Sequence, residues 1–383
     1  MVYNRDMNYS EEALKKHRLL RGKISVSLKD KLDTKDKLST YYTPGVAAVS
    51  TYVAEHPEET RDYTWLNNNV AVISDGSAVL GLGDIGPYGA LPVMEGKAML
   101  FKHFADIDAI PIVLDVHSAD EIVAAVTAIA PSFGGINLED IAAPICFEVE
   151  ERVKAALDIP VMHDDQHGTA IVVLAGLINA MKVTGKNLKD CRVVVVGAGA
   201  AGTAIMKLLD LYAQPDILAV DSKGIISKTR TDLNAPKTNL LDFSNRSGVS
   251  GSLADALDGA DIFIGVSQPK LLSVDLIKKM SKDPIIFAMS NPTPEIMPDE
   301  AKQAGVAVMA TGRSDFPNQV NNALAFPGIF RGALDNGVRK ITDKHKIAAA
   351  EVIACLVENP TADQIIPSVL DDRLVPAIAK VIV

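Results

Sequence analysis

Two pairs of adjacent carboxylates stand out in this chain: Glu139-Asp140, within Asn137-Leu138-Glu139-Asp140-Ile141, and Asp164-Asp165, directly after His163. Both follow short apolar runs that read as strands, and strand-end loops are where α/β sheets place their ligands. Adjacent carboxylates repel, so two such pairs converging on a cleft would be stabilised by a divalent cation. An all-oxygen donor set suits a hard ion, Mg²⁺ or Mn²⁺. Each pair also has a plainer reading, in which Asp164 or Asp165 caps the helix that follows and Glu139-Asp140 is a solvated turn. Two groups are candidates for moving protons: Tyr42, in Tyr41-Tyr42-Thr43-Pro44-Gly45, and Lys97, in Pro92-Val93-Met94-Glu95-Gly96-Lys97-Ala98. A tyrosine before a helix is more often a packing residue, and a helical lysine more often a solvated one. Lys97, however, follows Gly81-Leu82-Gly83-Asp84-Ile85-Gly86, whose glycine density suits close backbone approach to a ligand. Asn291, in Ser290-Asn291-Pro292-Thr293, and Asn321-Asn322 could bind a nicotinamide ribose or a substrate carboxylate, and serve equally well as turn formers.

A second constellation lies in Arg192–Asp221. An apolar strand runs into Gly197-Ala198-Gly199-Ala200-Ala201-Gly202, a helical pattern follows from Ala200 to about Leu211, and a second strand, Ile217–Val220, ends on Asp221. Gly197 permits the tight turn, Gly199 the approach of a pyrophosphate, and Gly202 the close packing of helix on strand. The phosphates would sit on the free N–H groups at the helix start. Asp221, about 20 residues further on, is placed to accept from an adenosine ribose. It favours NAD, but Lys223, Lys228 and Arg230 follow closely enough to neutralise the 2′-phosphate of NADP.

These groups need a scaffold, and the pattern supplies an alternating one. A helix starts near Ser10 and can end at Gly22; another opens at Thr43-Pro44 and runs to His56-Pro57. Strands are expected at Val70–Ser74 and Ala78–Leu82, around the turn Asp75-Gly76. Helical Val93–Ala105, Ala119–Ile129 and Glu148–Ala156 then alternate with strands Ala109–Asp115, Ile136–Ile141 and Ile159–Met162. A long apolar helix, Gly168–Val183, leads to the dinucleotide unit. Residues 222–250 are a polar excursion, and strands Ile262–Gly265, Ile285–Met289 and Val306–Met309 follow. Helical segments near Pro327–Leu334, Lys344–Leu356 and the C-terminus finish the chain. Strand–helix alternation implies parallel sheets covered by helices. The expected fold is α/β with two domains: residues 1–160 carrying Tyr42, Lys97 and Glu139-Asp140 on a mainly parallel sheet, and residues 161–383 forming a Rossmann-type doubly wound sheet with C-terminal helices.

Composition narrows the function classes. The chain has 383 residues, 48% of them hydrophobic, and a net charge of −10 with no basic block, so the footprint of a nucleic-acid binder is missing. Cys146, Cys191 and Cys355 have no CxxC spacing and sit in or beside apolar runs; they read as buried, reduced thiols of a cytoplasmic protein. The polar, acidic start is unlike a signal peptide, and the apolar run Thr169–Met181 is too short to span a bilayer.

Taken together, the motifs resemble malic enzyme of the small bacterial type. The matching pieces are Tyr-Thr-Pro-Gly-Val at 42–46, Gly-Leu-Gly-Asp-Ile-Gly at 81–86, Glu-Gly-Lys at 95–97, Asn-Leu-Glu-Asp at 137–140, His-Asp-Asp-Gln-His-Gly-Thr at 163–169, Gly-Ala-Gly-Ala-Ala-Gly at 197–202, Ser-Asn-Pro-Thr at 290–293 and Asn-Asn-Ala-Leu-Ala-Phe-Pro-Gly at 321–328. They occur in the family's order and span most of the chain. The resemblance implies oxidative decarboxylation of L-malate to pyruvate and CO₂, with hydride passing to the nicotinamide. It implies that Glu139, Asp140 and Asp165 hold the metal, Lys97 is the general base on the C2 hydroxyl, Tyr42 protonates C3 of enolpyruvate, and Asp164 tunes Lys97 or the metal. Such a base needs a pKa lowered by burial or a nearby cation.

One departure stands out. Larger family members carry a carboxylate-binding arginine where this chain has Ala78, so Asn291, Asn321, Asn322 or another basic group must take that role. The resemblance further implies a homodimer with Tyr42 near the neighbour's site. Competing readings are a malolactic enzyme that releases lactate, a dehydrogenase acting on another substrate, and a catalytically silent dinucleotide-sensing module. Retention of Tyr42, Lys97 and both acidic pairs argues against the last.

Overall fold

Strands that are apolar on both faces must be covered on both faces, and the chain does this twice. The computed structural model describes residues 8–79 and 81–383. The first sheet comprises β1 (Asn69–Ser74), β2 (Asp108–Val113), β3 (Ile136–Leu138) and β4 (Val161–His163), ordered β2-β1-β3-β4 with every pair parallel. All of β1 is buried, as the central strand of a helix-covered parallel sheet should be. Strand order reverses about β1, so the crevice above the strand ends falls at Asp75 and Glu139-Asp140.

The second sheet comprises β5 (Arg192–Val196), β6 (Asp216–Asp221), β7 (Gly224–Ile225), β8 (Ile262–Gly265), β9 (Ile285–Ala288) and β10 (Val308–Thr311). Its order, β10-β9-β8-β5-β6-β7, puts β5 at the point where winding reverses. This is the expected Rossmann-type arrangement. The one antiparallel strand is β7, which pairs with β6 and begins the 222–250 excursion.

Helix Asp164–Thr184 joins the two sheets. It is 21 residues long with mean hydropathy 1.3, longer than the apolar run suggested and enough by length and composition to cross a membrane. Its apolar residues are instead covered by protein. They share one continuous core with Val70 and Val72 of β1, Val193 and Val195 of β5, and helices Ala200–Ala213 and Asp343–Cys355. The chain then returns to the first sheet: helix Phe326–Asp335 crosses helix Gly86–Ala105, where Phe101 meets Phe326 and Phe330 edge-on at ring centroid distances of 4.6 and 5.4 Å. Helix Leu374–Ala379 packs on this pair at Gly328 and Gly332, where a Cβ would come within 2.7 Å of Ile378 and Ala379.

Several expectations need correction. No strand forms over Ala78–Leu82. Leu80 lies outside the described residues, and around it the chain reverses tightly, with Val79 N–H donating to Gly83 O at 3.0 Å and Gly81 and Gly83 at φ +76° and +79°. Left-handed glycines on either side of Leu82 turn the chain where apolar propensity would extend it. The first helix is capped by Asn8 rather than started by Ser10, and the helix expected from Pro44 begins at Val46. Cys146 and Cys191 are buried, but Cys355 ends its helix facing outward and is exposed. The helices Tyr9–Leu20, Lys35–Tyr41 and Val46–Glu55 bury no residue, leaving Leu14, Leu19, Leu20, Leu38, Tyr41 and Tyr42 exposed.

The aromatic contact on Phe101 is what fastens the C-terminal return. Replacing the fully buried Phe330 by Ala should cost about 3–5 kcal/mol in urea unfolding. A loss below about 1 kcal/mol would show that the return is held elsewhere.

Candidate active site

β3 and β4 pair in register, Leu138 opposite His163, so their ends bring the two acidic pairs side by side. Glu139 leaves β3 directly. Asp140 takes a left-handed φ of +53°, which turns its carboxylate back into the crevice. Asp164 and Asp165 are not in a loop, as expected from the sequence, but form the first turn of helix Asp164–Thr184. Their negative charge suits the positive end of the helix dipole. Asp165 Oδ2 accepts the Asp140 N–H at 2.7 Å, tying the pairs together. The result is a cluster in which one carboxylate oxygen from each of Glu139, Asp140 and Asp165 lies within 4.8 Å of the others.

Helix Gly86–Ala105 delivers Lys97 to this cluster. Its Nζ lies 2.7 Å from Asp164 Oδ2 and 3.0 Å from Glu139 Oε1, and 4.4 Å from the centre of the Phe326 ring. Asn137, two residues before Glu139 on the same strand face, donates Nδ2–H to Glu139 Oε1 at 2.6 Å. Three carboxylates, Asp164, Glu139 and Asp165, thus act on one ammonium, with Glu139 and Asp164 almost fully buried. Burial, reinforced by Asp164, Asp165 and Asp140, pushes Glu139 well above the usual carboxylate range despite Lys97. Burial likewise raises Asp164 against the pull of Lys97. For Lys97, burial works to lower the pKa, but Asp164, Glu139 and Asp165 outweigh it and hold the ammonium above its ordinary value. The lowered lysine that a general base needs is therefore not produced by burial here; it requires a cation that takes up the carboxylate charge. The surplus of buried carboxylate and the all-oxygen donor set fit a divalent ion of the Mg²⁺ or Mn²⁺ type.

The second sheet supplies the other wall. The Gly81 loop abuts Asn291, whose carbonyl oxygen would lie 2.8 Å from a Cβ at Gly81. Asn322 packs against the first turn of helix Asp164–Thr184, its Cβ 3.0 Å from where a Gly168 Cβ would stand. Asn321 is occupied in capping its own turn through Ala323 N–H. Tyr42 is 67% exposed, and no contact joins it to the cluster among the described residues.

A cavity of about 330 Å³ lies over the ends of β5 and β6, lined by Gly197, Ala198, Gly199, Asp221, Asn234, Lys237 and Gln268, with Pro144 and Phe147 facing them from the first sheet's side. Gly197 has φ +117°, and a Cβ at Gly202 would lie 1.7 Å from Gly197 O, so these two glycines are steric necessities. Gly199 faces open space and precedes an uncapped helix start at Ala200, leaving N–H groups of Ala200, Ala201 and Gly202 for an anion. Asp221 is paired by Arg230 (2.7 and 3.1 Å) and by Lys237 Nζ (2.6 Å). Burial would raise it, but these bonds and the Lys223 N–H hold it down at about 2. Of the three expected basic neighbours only Arg230 pairs with Asp221 through its side chain; Lys223 turns to Asp232. Lys237, missed in the sequence, lies beyond the reach of any local motif. Phe326 and Asn137 were within quoted motifs, and strand alternation alone marks Asn137 as sharing a face with Glu139.

Residues 21–154 match the family described as malic enzyme, N-terminal domain, and residues 166–381 match malic enzyme, NAD binding domain. The chain is 52% identical over 379 residues to a bifunctional malic/malolactic enzyme of Bacillus subtilis, covering 98% of this chain and 92% of that one. It is also 52% identical to an NAD-dependent malic enzyme of Geobacillus stearothermophilus, covering 98% and 79%. An NADP-dependent malic enzyme of Rhizobium meliloti is 47% identical, covering 96% of this chain and 51% of its own. Among solved structures, an NAD-dependent malic enzyme from Thermotoga maritima superposes with a TM-score of 0.94 at 50% identity, covering 97% and 98%.

Gly168 is where this geometry is most easily broken. A Cβ there would lie 1.8 Å from Asp164 Oδ1, so Gly168→Ala should swing the Asp164 carboxylate away and lengthen its contact with Lys97 beyond hydrogen-bonding range. A crystal structure of the variant that keeps the short contact would contradict this.

Proposed function

The chain belongs to the malic enzyme family, and on that premise we propose that it converts L-malate to pyruvate and CO₂ by oxidative decarboxylation, reducing NAD in preference to NADP. The observation that carries this reading is Lys97 Nζ, wedged between Asp164 and Glu139 on the rim of a three-carboxylate cluster. A base, a cation site and a dinucleotide crevice at one cleft are what dehydrogenation followed by loss of CO₂ requires.

Glu139, Asp140 and Asp165 would hold the Mg²⁺ or Mn²⁺ ion, which when bound supplies positive charge for the substrate oxygens. Lys97 Nζ takes the proton of the C2 hydroxyl as hydride leaves C2 for the nicotinamide, and Asp164 Oδ2 holds the amine in place. After CO₂ leaves, Tyr42 returns a proton to C3. Asn291 and Asn322 stand on the opposite wall to receive the substrate carboxylate or the nicotinamide ribose, in place of the arginine lost at Ala78. Because Tyr42 is exposed on an N-terminal segment with an unburied apolar face, we place it in the neighbouring subunit's site of a homodimer. For the cofactor, Asp221 is ionised and presents an acceptor to a 2′-hydroxyl, while Arg230 and Lys237 soften its repulsion of a 2′-phosphate. The similarity to a bifunctional malic/malolactic enzyme keeps lactate release as a second reading.

Initial rates with malate and Mn²⁺, following reduced cofactor and pyruvate together, test the proposal. Equal yields of both are expected, with activity lost on chelation; lactate without reduced cofactor would replace this reading by the malolactic one. Lys97→Ala should lose at least ~10² in turnover, and a smaller loss would remove it as the base. Mixing Tyr42→Phe with Lys97→Ala subunits should restore activity, because one site of each hybrid would be intact; no recovery would return Tyr42 to its own subunit. Asp221→Asn should raise the NADP-to-NAD ratio of kcat/KM by about tenfold, worth about 1.4 kcal/mol, and an unchanged ratio would clear Asp221 of the choice.

A further inference from the structure

Glu150 is a buried carboxylate that the chemistry above does not use. It lies on helix Ile145–Ala156 and is only 6% exposed. Three groups donate to it. The His163 N–H reaches Oε1 at 3.1 Å, the His167 ring through Nε2 lies 2.9 Å from its oxygens, and Lys154 Nζ pairs with Oε1 from one turn away. Two of these donors bracket a short stretch of chain: His163 is the last residue of β4, and His167 lies in the first turn of the following helix. Asp164, Asp165 and Gln166 are the residues between. That helix start has no side-chain cap of its own, so nothing within the helix fixes how its first turn sits on the strand end.

We infer that Glu150 is a positioning residue for the metal and lysine contacts, clamping the strand–helix junction so that Asp164 faces Lys97 and Asp165 faces Asp140. The clamp works at two points. Through the His163 N–H it fixes the backbone just before Asp164. Through His167 it fixes the rotation of the first turn, and with it the direction of the Asp165 side chain. Asp165 must satisfy two partners at once, since its Oδ2 also accepts the Asp140 N–H at 2.7 Å. A small rotation of the turn would break that bond and spread the three ligand oxygens apart. The His167 ring, 2.9 Å from Glu150 Oε2, supplies a directional hydrogen bond. Lys154, one turn away on the same helix, adds an ion pair to the buried Glu150. Outer partners of metal-ligating carboxylates characteristically contribute 10–100-fold in metal affinity.

The inference rests on the metal-dependent reading above, and Mn²⁺ binding to the otherwise metal-free protein separates the two. Free Mn²⁺ measured by electron paramagnetic resonance gives the affinity without turnover. Glu150→Ala is expected to weaken Mn²⁺ binding at least about tenfold and to lower kcat, with NADH affinity by fluorescence unchanged. Glu150→Gln should recover to within about threefold of the parent, because its carbonyl oxygen still accepts the His163 N–H and its amide can face the other tautomer of His167. If Glu150→Ala does not fold, His167→Ala removes one arm alone and should still weaken Mn²⁺ binding severalfold. Unchanged Mn²⁺ affinity in a folded Glu150→Ala or His167→Ala protein, or an equal loss of NADH affinity, would overturn the clamp. Asp165→Asn is the control: if it binds Mn²⁺ as the parent does, the metal reading itself fails; if it binds more weakly while Glu150→Ala does not, only the clamp fails.

Discussion

The structure turns on an imbalance of buried charge. Three carboxylates act on Lys97, and the two that touch it, Asp164 and Glu139, are 0% and 2% exposed. Removing such ions from water costs several kcal/mol each unless they are paired with good geometry. The short contacts to Lys97 offset that cost for one pair, and the Phe326 ring adds an attractive face beneath the ammonium. Asp140 and Asp165 add further negative charge beside that pair, with the buried His163 ring 3.7 Å from Asp165. The all-oxygen donor set of this cluster fits a divalent cation.

Holding the cluster together requires elements far apart in sequence. Lys97 arrives on helix Gly86–Ala105, Glu139 and Asp140 at the end of β3, and Asp164 and Asp165 at the start of the helix that carries the chain into the second sheet. That helix is buried in the core common to both sheets, so its body cannot shift without disturbing apolar packing on both sides. The return of helix Phe326–Asp335 seats Phe326 under Lys97 while Phe101 locks it in place. The same residues thus close the core and support the lysine.

The two sheets divide the work along their strand ends. Each has its reversal of strand order at the site, one below the acidic cluster and one below the glycine turn. The walls meet where the Gly81 loop abuts Asn291 and where Pro144 and Phe147 face the dinucleotide cavity. At the far end of that cavity Asp221 is held by Arg230 and Lys237, which leaves its charge nearly balanced.

Local pattern carried much of this. Glycine spacing around Gly197–Gly202, strand–helix alternation and the two acidic pairs are properties of neighbours in the chain, so both sheets, the glycine turn and the candidate acidic residues were legible from the sequence. The strand expected over Ala78–Leu82 was not, because β-propensity there yields to two glycines in left-handed geometry. Nor was the charge state of Lys97, the pairing of Lys237 with Asp221, the exposure of Cys355 or the role open to Glu150. Each of these depends on what lies across a few ångströms of space rather than along the chain. The sequence by itself determined which groups could do chemistry and on which elements they ride. Only the tertiary structure decided which of them meet, since burial and the sign of neighbouring charges exist only once distant segments are packed together.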